Sequence, residues 1–130
     1  MDSSKRLLVI DDDPDIGLMM KMMLVYKGFM VTLLDNAGEV EPTLLKKNID
    51  LIFMDMLLSG VNGLDVCAKL KSNDSYAHIP IIMMSAHPDA HKLCLAAGAN
   101  DFISKPFDTA DLLSKVISLL SKSSKTGQEA

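Results

Sequence analysis

The residues able to do chemistry stand at the ends of apolar runs. Leu7-Leu8-Val9-Ile10 leads into Asp11-Asp12-Asp13, and Leu51-Ile52-Phe53-Met54 leads into Asp55. A third run, Phe102-Ile103, leads through Ser104 into Lys105-Pro106. Short apolar runs closed by turn residues read as buried parallel strands. In an open parallel sheet, ligands bind beyond the carboxyl ends of the strands. One edge would therefore gather several carboxylates and one ammonium in a single cleft. Crowded carboxylates repel, so the site wants a hard divalent cation, Mg2+ in the first place. The lysine offers a charge-assisted bond to an anion arriving beside it.

The elements that must hold these groups alternate along the chain. Strands are expected near Arg6 to Ile10, Phe29 to Leu34, Asp50 to Met54, Ile81 to Met84 and Asp101 to Ile103. A helix opens at Pro14, where a missing N–H costs nothing, and stops at Gly28. A shorter one spans Glu39 to Lys47, with Pro42 acceptable only in its first turn. Leu57 to Asn62 reads as a loop, and Gly63 to Lys71 as the next helix. Another begins at Pro88 and ends at Gly98, and the last runs from Thr109 to Ser121. In that helix Leu112, Leu113, Val116, Ile117 and Leu120 make a core-facing stripe. Strands alternating with helices predict an α/β fold, a doubly wound five-stranded parallel sheet with five helices.

The chain has 130 residues, enough for one domain. The reading divides it into a folded unit over 1–122 and a polar tail over 123–130. That tail carries too little apolar surface to order itself. Net charge is −4, which gives no electrostatic case for binding nucleic acid directly. Cys67 and Cys94 lack metal-ligand spacing and read as buried or half-buried thiols. Charges interrupt every apolar stretch before it could span a membrane, and the N-terminus has no signal-peptide core. A cytoplasmic protein is the expectation.

With Asp11, Asp12, Asp55, Ser85 and Lys105 all at strand ends, the chain resembles the receiver domains of bacterial two-component response regulators. The resemblance runs from about Lys5 to Leu120 and implies a flavodoxin-like fold. It implies that Asp55 is the phosphoacceptor. It implies that Asp12, Asp55 and the backbone carbonyl of Leu57 coordinate Mg2+, or Mn2+ in its place, with Asp11 acting largely through water. Ser85, followed by Ala86, matches the switch hydroxyl and Phe102 the switch aromatic. Lys105 matches the lysine that pairs with the phosphoryl group, and its bond to Pro106 is cis in the family. The implied donor is a histidine kinase or histidine phosphotransfer protein, and the output a downstream protein target, with homodimerisation left open.

Some positions depart from that pattern. Many receivers carry proline four residues after the acceptor, and here stand Ser59 and Gly60. Leu57 and His87 occupy the two positions that tune dephosphorylation, with Leu57 expected to shield the phosphoryl group. In the first helix Met19, Met20, Met23 and Leu24 fit the core stripe. Leu18, Met22 and Val25 form a second apolar stripe that points outward, suited to a partner. Ile16, Met19, Met22, Pro106 and Phe107 make up the expected partner face.

Bland readings compete at single positions. Asp13 and Asp15 fit a helix N-terminus, where carboxylates favour the dipole. His78 and His91 read as surface histidines. An aspartyl phosphatase of the haloacid-dehalogenase type would carry a second aspartate where Leu57 stands. A flavodoxin-like nucleotide binder would need a glycine-rich loop after the first strand. A receiver-like interaction module that is never phosphorylated is the remaining alternative, and the intact set of site residues speaks against it.

Overall fold

A computed structural model describes residues 4–87 and 89–129, with side chains in the last helix through 122. Five strands form one parallel sheet: β1 (Arg6–Ile10), β2 (Met30–Leu34), β3 (Leu51–Asp55), β4 (Ile81–Ser85) and β5 (Asp101–Ser104). Their spatial order is β2-β1-β3-β4-β5. The helices are α1 (Pro14–Tyr26), α2 (Val40–Lys46), α3 (Gly63–Lys71), α4 (Ala90–Ala96) and α5 (Thr109–Glu129).

Side chains alternate across a strand, and that alternation builds two apolar layers. Leu8, Ile10, Ile52 and Met54 pack with Val40 and Leu44 of α2, Cys67 and Leu70 of α3, and Cys94 of α4. Leu7, Val9, Leu51 and Phe53 pack with Met20 and Leu24 of α1, and Leu112, Val116 and Leu120 of α5. The sheet is thus covered on both faces, as a doubly wound fold requires. Every residue of β3 and β4 is buried, while the edge strand β2 is only half-buried. Burying each large aliphatic side chain of these layers contributes roughly 1.5–3 kcal/mol.

Register brings the polar strand ends together. Ile10 lies beside Met54, Asp55 beside Met84, and Ser85 beside Ser104. Strand order reverses between β1 and β3, so their carboxyl ends flank the crevice where such sheets bind ligands.

The helix starts follow from local chemistry. The Asp13 carboxylate accepts the N–H groups of Asp15 and Ile16 at 2.9 and 3.3 Å, capping α1 ahead of Pro14. The Asn62 side chain caps α3 by accepting the Leu64 N–H at 2.9 Å. Gly63 must be glycine, because a Cβ there would strike the Asp55 backbone carbonyl. Pro42 falls in the first turn of α2, as its missing N–H demands.

The structure corrects the sequence reading in several places. The expected loop at Leu57 contains a two-residue antiparallel ribbon, Leu57–Leu58 against Val61–Asn62. Met19 and Ile117, expected in core stripes, are exposed. Each sits at the flank of its helix, about 100° from the buried rows of Met20–Leu24 and Leu112–Val116. The last helix continues to Glu129 instead of ending at Ser121, so the segment 123–129 is helical. Its Lys, Gln and Glu are good helix formers and it holds no proline, so an established helix propagates into it. Pro88, read as a helix start, lies outside the described residues, and α4 begins at Ala90.

Candidate functional site

Four strands deliver the site. Asp11 and Asp12 follow β1, Asp55 closes β3, Ser85 closes β4 and Lys105 follows β5. Asp11, Asp55 and Ser85 are the buried polar residues of the chain among those described. Asp12, Asp55, Leu57, Ser85, Ala86, His87 and Lys105 line one open cleft of about 330 Å³, with Asp13 and Ile16 at its α1 side.

Lys105 is the hub. Its ammonium donates to Asp11 Oδ2 at 2.8 Å and to Asp55 Oδ2 at 2.8 Å. All three side chains are largely withdrawn from water, so these are not surface ion pairs of negligible value. Burial pushes the Asp11 carboxyl up, and outweighs the hydrogen bonds from Lys105 and the Asp13 N–H that pull it down. Burial alone would lower Lys105, but the two carboxylates facing it together hold it above its ordinary value. One ammonium therefore faces two carboxylates, and Asp12 adds a third, so the cluster carries an excess of negative charge.

Carboxylate oxygens of Asp11, Asp12 and Asp55 lie within 4.8 Å of one another. This all-oxygen, anionic donor set suits a hard divalent cation. The backbone supports the set. The Asp13 N–H donates to Asp11 Oδ1 at 2.9 Å, and the Leu57 N–H to Asp55 Oδ1 at 3.3 Å. Ser85 Oγ accepts the His87 N–H at 3.0 Å, which leaves its own O–H free to donate.

A family scan matches residues 7–117 to the response regulator receiver domain. This chain belongs to the response regulator receiver family. It is 32% identical over 114 residues to the DNA-binding response regulator MtrA of Mycolicibacterium smegmatis, covering 86% of this chain and 49% of that protein. It is 30% identical over 117 residues to the phosphate regulon regulatory protein PhoB of Rhizobium meliloti, covering 88% and 52%. The receiver thus spans about half the length of these curated relatives. Among solved structures, a CheY-like receiver domain protein from Methanospirillum hungatei superposes with a TM-score of 0.86 at 28% identity, covering 95% of this chain and 99% of that one. The signal receiver domain of a histidine kinase from Syntrophus aciditrophicus gives 0.84 at 30% identity, covering 92% of each. The receiver is a phosphoacceptor module of two-component phosphorelay signalling.

Phe102, Pro106 and Phe107 lie away from this cleft. Phe102 is buried under α4, its ring stacked on His91 at 5.3 Å between centroids and 16° between planes. With Pro106 and Phe107 it lines a second cleft, between α4 and α5. The Lys105–Pro106 bond is cis. Leu57 is 68% exposed at the mouth of the site, and on α1 Met19 and Met22 are exposed while Ile16 is half-buried. Among the described residues no helix is long and apolar enough to cross a membrane.

Sequence reasoning missed Ser59. Its N–H and Oγ both donate to Asp12 Oδ2, at 2.9 and 3.2 Å. The only signal was a serine where many receivers have proline. It also missed the partner of Phe102, because His91 looked like an ordinary surface residue.

Proposed function

We propose that Asp55 accepts a phosphoryl group from a phosphohistidine on a kinase or phosphotransfer protein, and that the acyl phosphate biases contacts with a downstream protein. The carrying observation is the bridge from Lys105 to Asp11 and Asp55 at 2.8 Å each, beside the surplus carboxylate of Asp12. In this reading Asp11, Asp12, Asp55 and the Leu57 carbonyl hold Mg2+, or Mn2+ in its place. When bound, the cation neutralises oxygens of the transferring phosphoryl group.

The chain's own groups do the rest. An Asp55 carboxylate oxygen attacks phosphorus, the P–N bond to the donor imidazole breaks, and the electron pair stays with the imidazole. Lys105 moves its charge from Asp55 to a phosphoryl oxygen, so no new cation has to be buried. Ser85 turns its free O–H to another oxygen, and Ala86 leaves room beside it. Catalysis is thus positioning and electrostatics, and the same groups assist hydrolysis. Leu57 and His87 flank the path by which water reaches phosphorus.

The switch passes through Ser85 to Phe102. Phe102 is already buried against His91, so the signal acts on how tightly α4 packs over β5. Ile16, Met19, Met22, Pro106 and Phe107 form the face offered to the phosphodonor. Residues 1–122 form the signalling unit, which works in the cytoplasm. Phosphorylated copies pairing with one another remain compatible with it.

Beryllofluoride, a phosphoryl mimic, tests this reading. The receiver should bind it only with Mg2+ present, with new bound fluorine resonances that Asp55→Asn abolishes. Binding that survives Asp55→Asn would contradict it.

A further inference from the structure

We infer that Ser59 is a positioning residue for Asp12, so that the turn after β3 sets how tightly the receiver holds a divalent cation. This rests on reading the acidic cluster as the cation site.

Asp12 differs from its two neighbours. Asp11 and Asp55 are buried and fixed by Lys105, whereas Asp12 is exposed. The described residues bonded to its carboxylate side chain come down to one, Ser59, reaching across 47 positions of sequence. Both bonds fall on Oδ2. The other oxygen carries none among the described residues and is left for a cation.

The backbone at Ser59 points the same way. Its φ is +46°, and that of Gly60 is +85°, a tight turn joining the two halves of the Leu57–Asn62 ribbon. Positive φ is uncommon for a residue with a side chain, and glycine would adopt it without strain. The chain nevertheless places a hydroxyl there, and that hydroxyl lies 3.2 Å from Asp12 Oδ2. A proline, with φ held near −65° and no N–H, could supply neither bond.

The consequence concerns ordering. Both bonds come from the chain itself, so they restrict the Asp12 carboxylate without a cation's help. Groups that orient a ligand from behind typically change metal affinity about 10–100-fold. Removing only the hydroxyl leaves the N–H bond, so the expected loss is smaller, about three- to tenfold.

The test is a Mn2+ titration of the full chain followed by electron paramagnetic resonance of the free ion, with wild type, Ser59→Ala and Ser59→Gly. Both variants lack the hydroxyl, but glycine also relieves the turn. The inference expects both to bind Mn2+ about three- to tenfold more weakly than wild type. Two results overturn it: Ser59→Ala binding as wild type does, or Ser59→Gly restoring an affinity that Ser59→Ala has lost. The second would mean that turn strain, not the hydroxyl, is at work. Wild type failing to bind Mn2+ at all would overturn the cation-site reading itself, a different outcome from either.

Discussion

The ammonium of Lys105 donates to Asp55 Oδ2 at 2.8 Å, although fifty positions of sequence separate the two residues. The same ammonium serves Asp11, so one side chain keeps three strand ends from flying apart electrostatically. Truncating it leaves two carboxylates unpaired. Breaking a buried ion pair costs about 3–5 kcal/mol, and the open cleft cuts that to roughly 2 kcal/mol here. Lys105→Ala should therefore fold, lose about that much stability without metal, and recover part of it with Mg2+. It should still bind the cation but fail to pass the signal to β5. Urea melts with and without Mg2+ check the first part. A conformational change at Phe102 on phosphorylation of this variant would refute the role of Lys105.

Asp11 makes a pH prediction. Its folded carboxyl is raised above the ordinary 3.8, chiefly by burial. Between that value and the raised one, the folded chain binds more protons than the unfolded chain. Stability from this group is therefore full below 3.8 and is lost as pH rises through the folded value. The metal-free receiver should resist urea better at mildly acidic than at neutral pH on account of Asp11. Asp11→Asn should flatten that dependence and stabilise the neutral metal-free form. A steeper dependence in the variant would refute the assignment.

Gly63 ties α3 to the site. A Cβ at this position collides with the Asp55 backbone carbonyl and crowds Met56. Gly63→Ala should cost about 1–3 kcal/mol by overpacking, and should slow phosphorylation because Asp55 must shift. A melt matching wild type would show that the backbone yields freely there.

The thiols should be inert. Cys67 and Cys94 are fully buried and unpaired, and burial, with Cys67 adding to it, pushes Cys94 up to about 11. At neutral pH neither should react with iodoacetamide in the native state, and both should react in denaturant. Mass spectrometry counts the adducts. Rapid native labelling would mean that α3 and α4 open readily.

How much of this was legible in the sequence depends on what each residue has to do. β1, β3 and β4 stood out because burial makes the runs Leu7–Ile10, Leu51–Met54 and Ile81–Met84 continuously apolar, and the residues ending them are abrupt changes of polarity. Asp11, Asp55 and Ser85 were legible for that reason, and Lys105 from the Lys-Pro pair just after the shorter run Phe102-Ile103. Met19 and Ile117 were not, since an apolar residue on a helix flank reads like one in the core. The run of the last helix to Glu129 was hidden because composition predicts order only through burial, whereas a helix already formed extends cheaply. Ser59 depended on a turn with positive φ, which a lone serine does not announce.

Intact mass after incubation with Mg2+ and acetyl phosphate tests the central claim most directly. The account predicts one added phosphoryl group on the wild type, absent from Asp55→Asn and absent without Mg2+. A wild type that gains none while its hydrolysis is slow enough to catch the product, or an Asp55→Asn that gains one equally, would contradict it and leave a receiver fold that works by binding alone.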